Sequence, residues 1–272
     1  MTKLLFLGSG CAFIRGVDNY QSNILLTSDT GKKFLIDCGS DIRHSLYRAG
    51  YSHLDITDIY ISHIHADHVG GLEYIGFSTK FDSRCEKPKL YLDTELAQTL
   101  WVNSLSGGMK YIGNEIATFE TFFEIVEIKS ERNFIWENIK FNLIKVVHVN
   151  SGNAIMPSYG LFFEINGIKI LLTTDTKMCL NILDKFYQEA DIIFQDCETT
   201  KFSSNVHAHY QELLNLPLSI KNKMWLYHYQ PGTLPDAIDD GFCGFVERGQ
   251  EFDFSSPIFS SKSLNVIKAN AV

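Results

Sequence analysis

His63-x-His65-x-Asp67-His68 places four possible metal ligands within six residues. Imidazole and carboxylate are the donors that Zn²⁺ and similar first-row cations take, at about 2.0–2.2 Å. Where a strand runs into a tight loop, the alternate side chains 63 and 65 can meet one ion. The next two, 67 and 68, then turn toward a neighbouring point. Four ligands on one loop do not close a two-ion site, so others must come from elsewhere. His148, Asp175 and His228 each stand where a strand-like segment ends, and together they are the candidates to complete such a site.

The flanking pattern predicts the elements that position them. Lys3–Leu7, Ser22–Thr27, Lys33–Ile36 and Ile56–Ile61 read as strands, with a helix over Asp41–Gly50. The last of these strands runs directly into the histidine motif. In the second half, Ile139–Val147 leads to His148, and the Asn166-Gly167 turn joins Tyr159–Ile165 to Ile168–Leu172, which delivers Asp175. Leu180–Ala190 and His209–Leu216 read as helices, Ile192–Phe194 as a buried strand, and Met224–Tyr227 as a strand ending at His228. Strands followed by helices, twice over, imply an α/β chain of two packed sheets with helices outside. Residues 80–120 are broken by Pro88, Gly107, Gly108 and Gly113 around a helix over Thr94–Leu105. The chain divides into one domain over 1–251 and a Ser-rich tail over 252–272, expected to be partly ordered at best.

Composition narrows the functional classes. With 272 residues, 45% hydrophobic and 21% charged, the chain has ample material for a core, which excludes disorder, collagen and coiled coil. A formal charge of −8 disfavours bulk nucleic-acid binding. No apolar run is long enough to span a membrane, and Met1–Leu7 is too short for a signal peptide, so a soluble, cytoplasmic protein is expected. The 6 cysteines show no C-x-x-C pair and read as reduced, mostly buried residues.

Leu35-Ile36-Asp37-Cys38-Gly39, Ile61-Ser62-His63-Ile64-His65-Ala66-Asp67-His68-Val69-Gly70-Gly71 and Leu172-Thr173-Thr174-Asp175-Thr176 together resemble the metallo-β-lactamase-fold hydrolases. The resemblance implies a four-layer αββα sandwich with two mixed β-sheets and two divalent ions, Zn²⁺ or alternatively Mn²⁺, at the sheet edge. It implies that His63, His65 and His148 hold one ion and that Asp67, His68 and His228 hold the other. Asp175 would bridge them, and Asp37 would orient a ligand histidine. Leu7-Gly8-Ser9-Gly10, Arg43-His44-Ser45-Leu46 and Val206-His207-Ala208-His209 are similar to the RNase Z-like phosphodiesterase branch. That likeness makes His207, or alternatively His209, the proton donor to the leaving group, with Asp67 and Asp175 orienting the attacking hydroxide.

Two departures from RNase Z matter. Its His-Glu-Ala-Thr motif is replaced by Gln195-Asp196-Cys197-Glu198-Thr199, leaving Asp196 or Glu198 for the orienting role. Only 26 residues separate His148 from Asp175, which leaves no room for the tRNA-binding arm. The expected function is a phosphodiesterase acting on a small phosphodiester such as a cyclic nucleotide. The alternatives are hydrolysis of a lactone or thioester carbonyl, an RNase Z-type RNA endonuclease, and a metal-binding sensor without turnover. A homodimer is expected from the branch and from base rate. Ser9, Gly10, residues 19–23 and Ser158-Tyr159 are expected as pocket walls.

Overall fold

Short apolar runs, each stopped by a turn-forming cluster, give sixteen strands in a computed structural model that describes residues 1–15 and 18–255. Along the chain these are β1 (Lys3–Phe6), β2 (Ile24–Thr27), β3 (Lys33–Ile36), β4 (Asp58–Tyr60), β5 (Lys89–Asp93), the two-residue pair β6 (Tyr111–Ile112) and β7 (Glu115–Ile116), and β8 (Glu124–Ile128). They continue as β9 (Asn133–Trp136), β10 (Ile139–Asn150), β11 (Ile155–Ile165), β12 (Ile168–Leu172), β13 (Ile192–Asp196), β14 (Met224–Tyr227), β15 (Gly244–Phe245) and β16 (Glu251–Asp253). One sheet runs β16-β1-β2-β3-β4-β5-β8 and the other β15-β14-β13-β12-β11-β10-β9. Each is mixed: an antiparallel meander leads into a parallel run, β3-β4-β5-β8 in the first and β12-β13-β14-β15 in the second.

The inner faces close on each other through aromatic rings. Phe6 meets Phe194 at 5.1 Å and Phe34 meets Phe141 at 5.5 Å between centroids across the interface, and Phe134 stacks on Phe141 at 4.9 Å within the second sheet. Such pairs add about 0.5–1.5 kcal/mol each beyond the area they bury. The buried Tyr60 hydroxyl donates to the Tyr159 carbonyl at 2.8 Å, tying the two sheets beside the histidine loop. Helices Ile42–Arg48 and Leu72–Phe81 lay Ile42, Leu46, Leu72 and Ile75 onto the first sheet's core. Helix Leu180–Glu189 buries Leu183 and Tyr187 against Leu171 and Ile193 of the second. The result is the αββα sandwich of the metallo-β-lactamase fold.

Several elements differ from the sequence reading. The expected helix Thr94–Leu105 is α-helical only to Leu100, and Trp101–Leu105 winds as a π-helix. Strands β5 and β8 fall within or beside the stretch that periodicity left unread, because their partners lie far along the chain. The ordered body runs past 251: β16 pairs antiparallel with β1, and Phe252 and Phe254 are fully buried. The tail from 256 onward lies outside the described residues. Among the described residues no helix is long and apolar enough to cross a membrane.

Ligands in an α/β sheet gather at the carboxyl ends of parallel strands, and both sheets bring those ends to one place. Three of the exits turn through the left-handed region without glycine: Asp37 after β3 (φ 61°), Thr174 after β12 (φ 52°) and His228 after β14 (φ 62°). That conformation costs about 1–3 kcal/mol and persists where surrounding structure imposes it, often at functional sites.

Candidate metal centre

The β4 exit bends so that His63 and His65 face each other, Nε2 to Nδ1 at 3.0 Å. The short helix Ala66–Val69 then starts, and it presents Asp67 and His68 one turn further on. His148 reaches the same point from β10, where the pairing with β11 slips between Val147 and Asn150. A bulge of this kind re-aims a side chain out of the strand's alternation. His148 Nε2 lies 3.1 Å from His65 Nδ1. Asp175 Oδ2 approaches His63 Nε2 at 3.7 Å and His148 Nε2 at 3.8 Å.

On the other side of Asp175 is a second nest of donors. His68 Nε2 and His228 Nε2 lie 3.3 and 3.4 Å from Asp175 Oδ2, and 3.3 and 3.2 Å from Asp67 Oδ2. The structure thus brings together His63, His65, His148 and Asp175 in one cluster, and Asp67, His68, Asp175 and His228 in another. Asp175 is common to both. Donors held about 2.0–2.2 Å from a tetrahedral ion stand about 3.3–3.6 Å apart, so the spacing suits a cation. His68 Nε2 and Asp175 Oδ1 are buried with no hydrogen-bond partner. Such orphans are costly unless an ion or water meets them, and here they mark the places a divalent cation fits.

Carboxylates and carbonyls behind the ligands fix their rings. Asp37 Oδ2 accepts from His68 Nδ1 at 2.7 Å and from the Ser62 hydroxyl at 2.7 Å, while its Oδ1 takes the Ser62 N–H. His148 Nδ1 donates to the Val206 carbonyl at 2.8 Å. These contacts leave the opposite nitrogens of His68 and His148 as donors to an ion. His228 Nδ1 faces Asp196 Oδ1 at 3.4 Å, and Asp196 Oδ2 holds His207 Nδ1 at 2.8 Å and accepts the Thr176 N–H.

Burial holds the His63, His65 and His148 imidazoles below the usual histidine range. Burial works the same way on His68 and His228, but Asp175 and the other carboxylates facing them lift both well above it. Asp67 is driven far down despite its burial, chiefly by His68 and His228. His207 is also raised: Asp196 outweighs its desolvation.

Of the two candidate proton donors, only His207 faces the cluster, with Nδ1 3.9 Å from Asp175 Oδ2. His209 instead caps helix Tyr210–Leu213, accepting the Gln211 N–H at Nδ1 while Nε2 meets the Thr200 carbonyl. Between Asp196 and Glu198, it is Asp196 that touches His207. Its position at the end of β13 was a usable signal, since Asp37 and Asp175 likewise follow strand exits. The Val206 carbonyl behind His148 carried none. Asn23, Ser158 and Tyr159 are buried braces and not pocket walls. Asn23 Oδ1 accepts the Gly39 N–H at 2.6 Å, Ser158 donates to the Asp175 carbonyl, and the Tyr159 hydroxyl goes to Asp93. Asn19 does line a cleft of ≈ 600 Å³ with Arg15, Tyr229 and Gln230. Between His148 and Asp175 the chain makes only the β10–β11 hairpin and β12, so no arm projects there.

Residues 2–252 match the family model described as anti-Pycsar protein Apyc1. The anti-Pycsar protein Apyc1 of Bacillus phage vB_BveM-Goe7 is 32% identical over 260 residues, covering 92% of this chain and 97% of its own. That of Paenibacillus harenae is 34% identical over 225 residues, covering 82% and 88%. Among solved structures, the metallo-β-lactamase fold protein YhfI from Bacillus subtilis superposes with a TM-score of 0.69 at 16% identity, covering 92% of this chain and 98% of that one. The last likeness is one of fold.

Proposed function

The chain belongs to the family of the anti-Pycsar protein Apyc1 and is a hydrolase on the metallo-β-lactamase fold; from that premise we propose that it hydrolyses a cyclic mononucleotide, a small phosphodiester, using two divalent ions, preferably zinc. The observation that carries this reading is a histidine, His207, held at Nδ1 by the buried Asp196 carboxylate at 2.8 Å beside two ligand clusters that share Asp175. A thioester expels a stabilised thiolate with no need of a separate acid, whereas an alkoxide leaving phosphorus needs a proton.

His63, His65 and His148 would hold one ion, Asp67, His68 and His228 the other, and Asp175 would span both. Bound there, two divalent ions would neutralise charge on the phosphoryl oxygens and make hydroxide available at neutral pH. Asp67 and Asp175 accept the hydrogen bond that orients the attacking oxygen in line with the departing ester. Asp196 keeps Nδ1 of His207 engaged, so the proton delivered comes from Nε2. The new O–P bond forms as the ribose C–O–P linkage opens at phosphorus, and the ribose oxygen leaves with the His207 proton.

The test is incubation of ion-loaded protein with 3′,5′-cyclic mononucleotides beside a lactone and thioester panel. A linear nucleoside monophosphate, formed one for one and lost on chelation, is expected. Opening of a carbonyl substrate with the cyclic nucleotides intact would overturn the reading.

A further inference from the structure

Glu198 is a carboxylate at 3% exposure that touches none of the ligand atoms. All its side-chain bonds go to the loop that follows it. Oε1 accepts from the Thr200 hydroxyl at 2.7 Å, and Oε2 accepts from the Ser204 N–H at 2.9 Å and its hydroxyl at 3.0 Å. Ser204 Oγ in turn accepts the Val206 N–H at 3.3 Å. The base of the loop is pinched by backbone bonds: Glu198 N–H to the Ala208 carbonyl, and Tyr210 N–H to the Glu198 carbonyl, both 2.9 Å. His209 crosses it to the Thr200 carbonyl. Asn205 turns through φ 61° and directs the next peptide back toward the metal centre.

That peptide joins Val206, whose carbonyl holds His148, to His207, whose ring meets Asp196. We propose that Glu198 is a positioning residue for proton delivery: through Ser204 it sets the Val206–His207 peptide and so the place of the His207 ring. The inference rests on the phosphodiesterase reading above. A carboxylate suits the task because all three of its partners are donors. Leucine, of similar volume, would remove both acceptors and break the lacing.

The test compares wild type, Glu198→Leu and Ser204→Ala on two substrates. A cyclic mononucleotide expels a ribose alkoxide that needs a proton, whereas bis(p-nitrophenyl) phosphate expels a stabilised phenolate that needs none. A misplaced general acid costs up to about 10²-fold in kcat. Glu198→Leu is expected to lose about 10²-fold on the cyclic nucleotide and under about threefold on the phenolate ester, both at saturating divalent ion. Ser204→Ala should show the same split in milder form. In ion-free Glu198→Leu, amide exchange should quicken at Ser204 and Val206 while β13 and β14 stay protected. Equal losses on both substrates, no loss on either, or unchanged exchange would each overturn the assignment. Wild type inert toward both phosphodiesters would instead sink the phosphodiesterase reading, and this inference with it.

Discussion

The two sheets furnish the same centre in opposite ways. The first supplies His63, His65, Asp67 and His68 from one strand exit, with Asp37 braced behind them from the neighbouring strand. The second supplies His148, Asp175, Asp196, His207 and His228 from a bulge, three strand exits and a loop scattered over its length. A local loop can be specified by neighbours in sequence, so the first set forms wherever β4 ends. The second set exists only once β12, β13 and β14 lie side by side. The carboxylates divide likewise: Asp37 serves one histidine, whereas Asp196 faces both His228 and His207.

The sharpest way to break the comparison is at the one residue both clusters share. Asp175→Asn should lower turnover by about 10³-fold or more, since each ion supplies several kcal/mol of charge stabilisation. Both ions should be weakened together, as read by metal analysis after dialysis; loss of only one would mean that Asp175 does not bridge. The next largest effect separates the sheets. Asp196→Asn should cost about 10²-fold in turnover of a cyclic nucleotide through the misheld His207. Asp37→Asn should act chiefly on ion affinity, by about 10–100-fold, and recover turnover at high metal concentration. If added metal rescues both equally, the distinction drawn between the two carboxylates fails.

Ion loading should also displace protons, because His68 and His228 are carried well above the ordinary histidine range when only carboxylates face them. A bound cation requires their neutral form, so affinity should rise as pH rises. Titration calorimetry in buffers of different ionisation enthalpy would read the released protons, and proton uptake would contradict this sign. The smallest effect concerns the bend before Asp175. Thr174→Gly relieves a left-handed conformation costing about 1–2 kcal/mol, but returns about 0.5–1 kcal/mol of unfolded-chain entropy. Stability in urea should therefore change by no more than about 1.5 kcal/mol, with turnover kept. A large loss of turnover would show that the Thr174 side chain, and not the bend, aims Asp175.

Local chemistry was readable in advance at every point where a short-range rule applied. The six-residue ligand motif, strands stopped by Gly, Asn and Asp clusters, and acids or histidines at strand ends all follow from side-chain type and spacing. Pairing between distant segments was not readable. β5 and β8 extend the first sheet's parallel run, and β16 closes its edge beyond the expected domain limit. Their registers depend on partners far along the chain. The choice of Asp196 over Glu198, and of His207 over His209, likewise waited on the fold. By type, either carboxylate and either histidine suited its job, and only the loop's return path shows which pair meets. Composition and spacing determined that this chain would carry a histidine- and aspartate-rich metal centre on a two-sheet α/β scaffold. The tertiary structure decided which side chains meet at Asp175 and which carboxylate meets His207, because distances between strand exits are set by sheet packing and not by the residues at the exits.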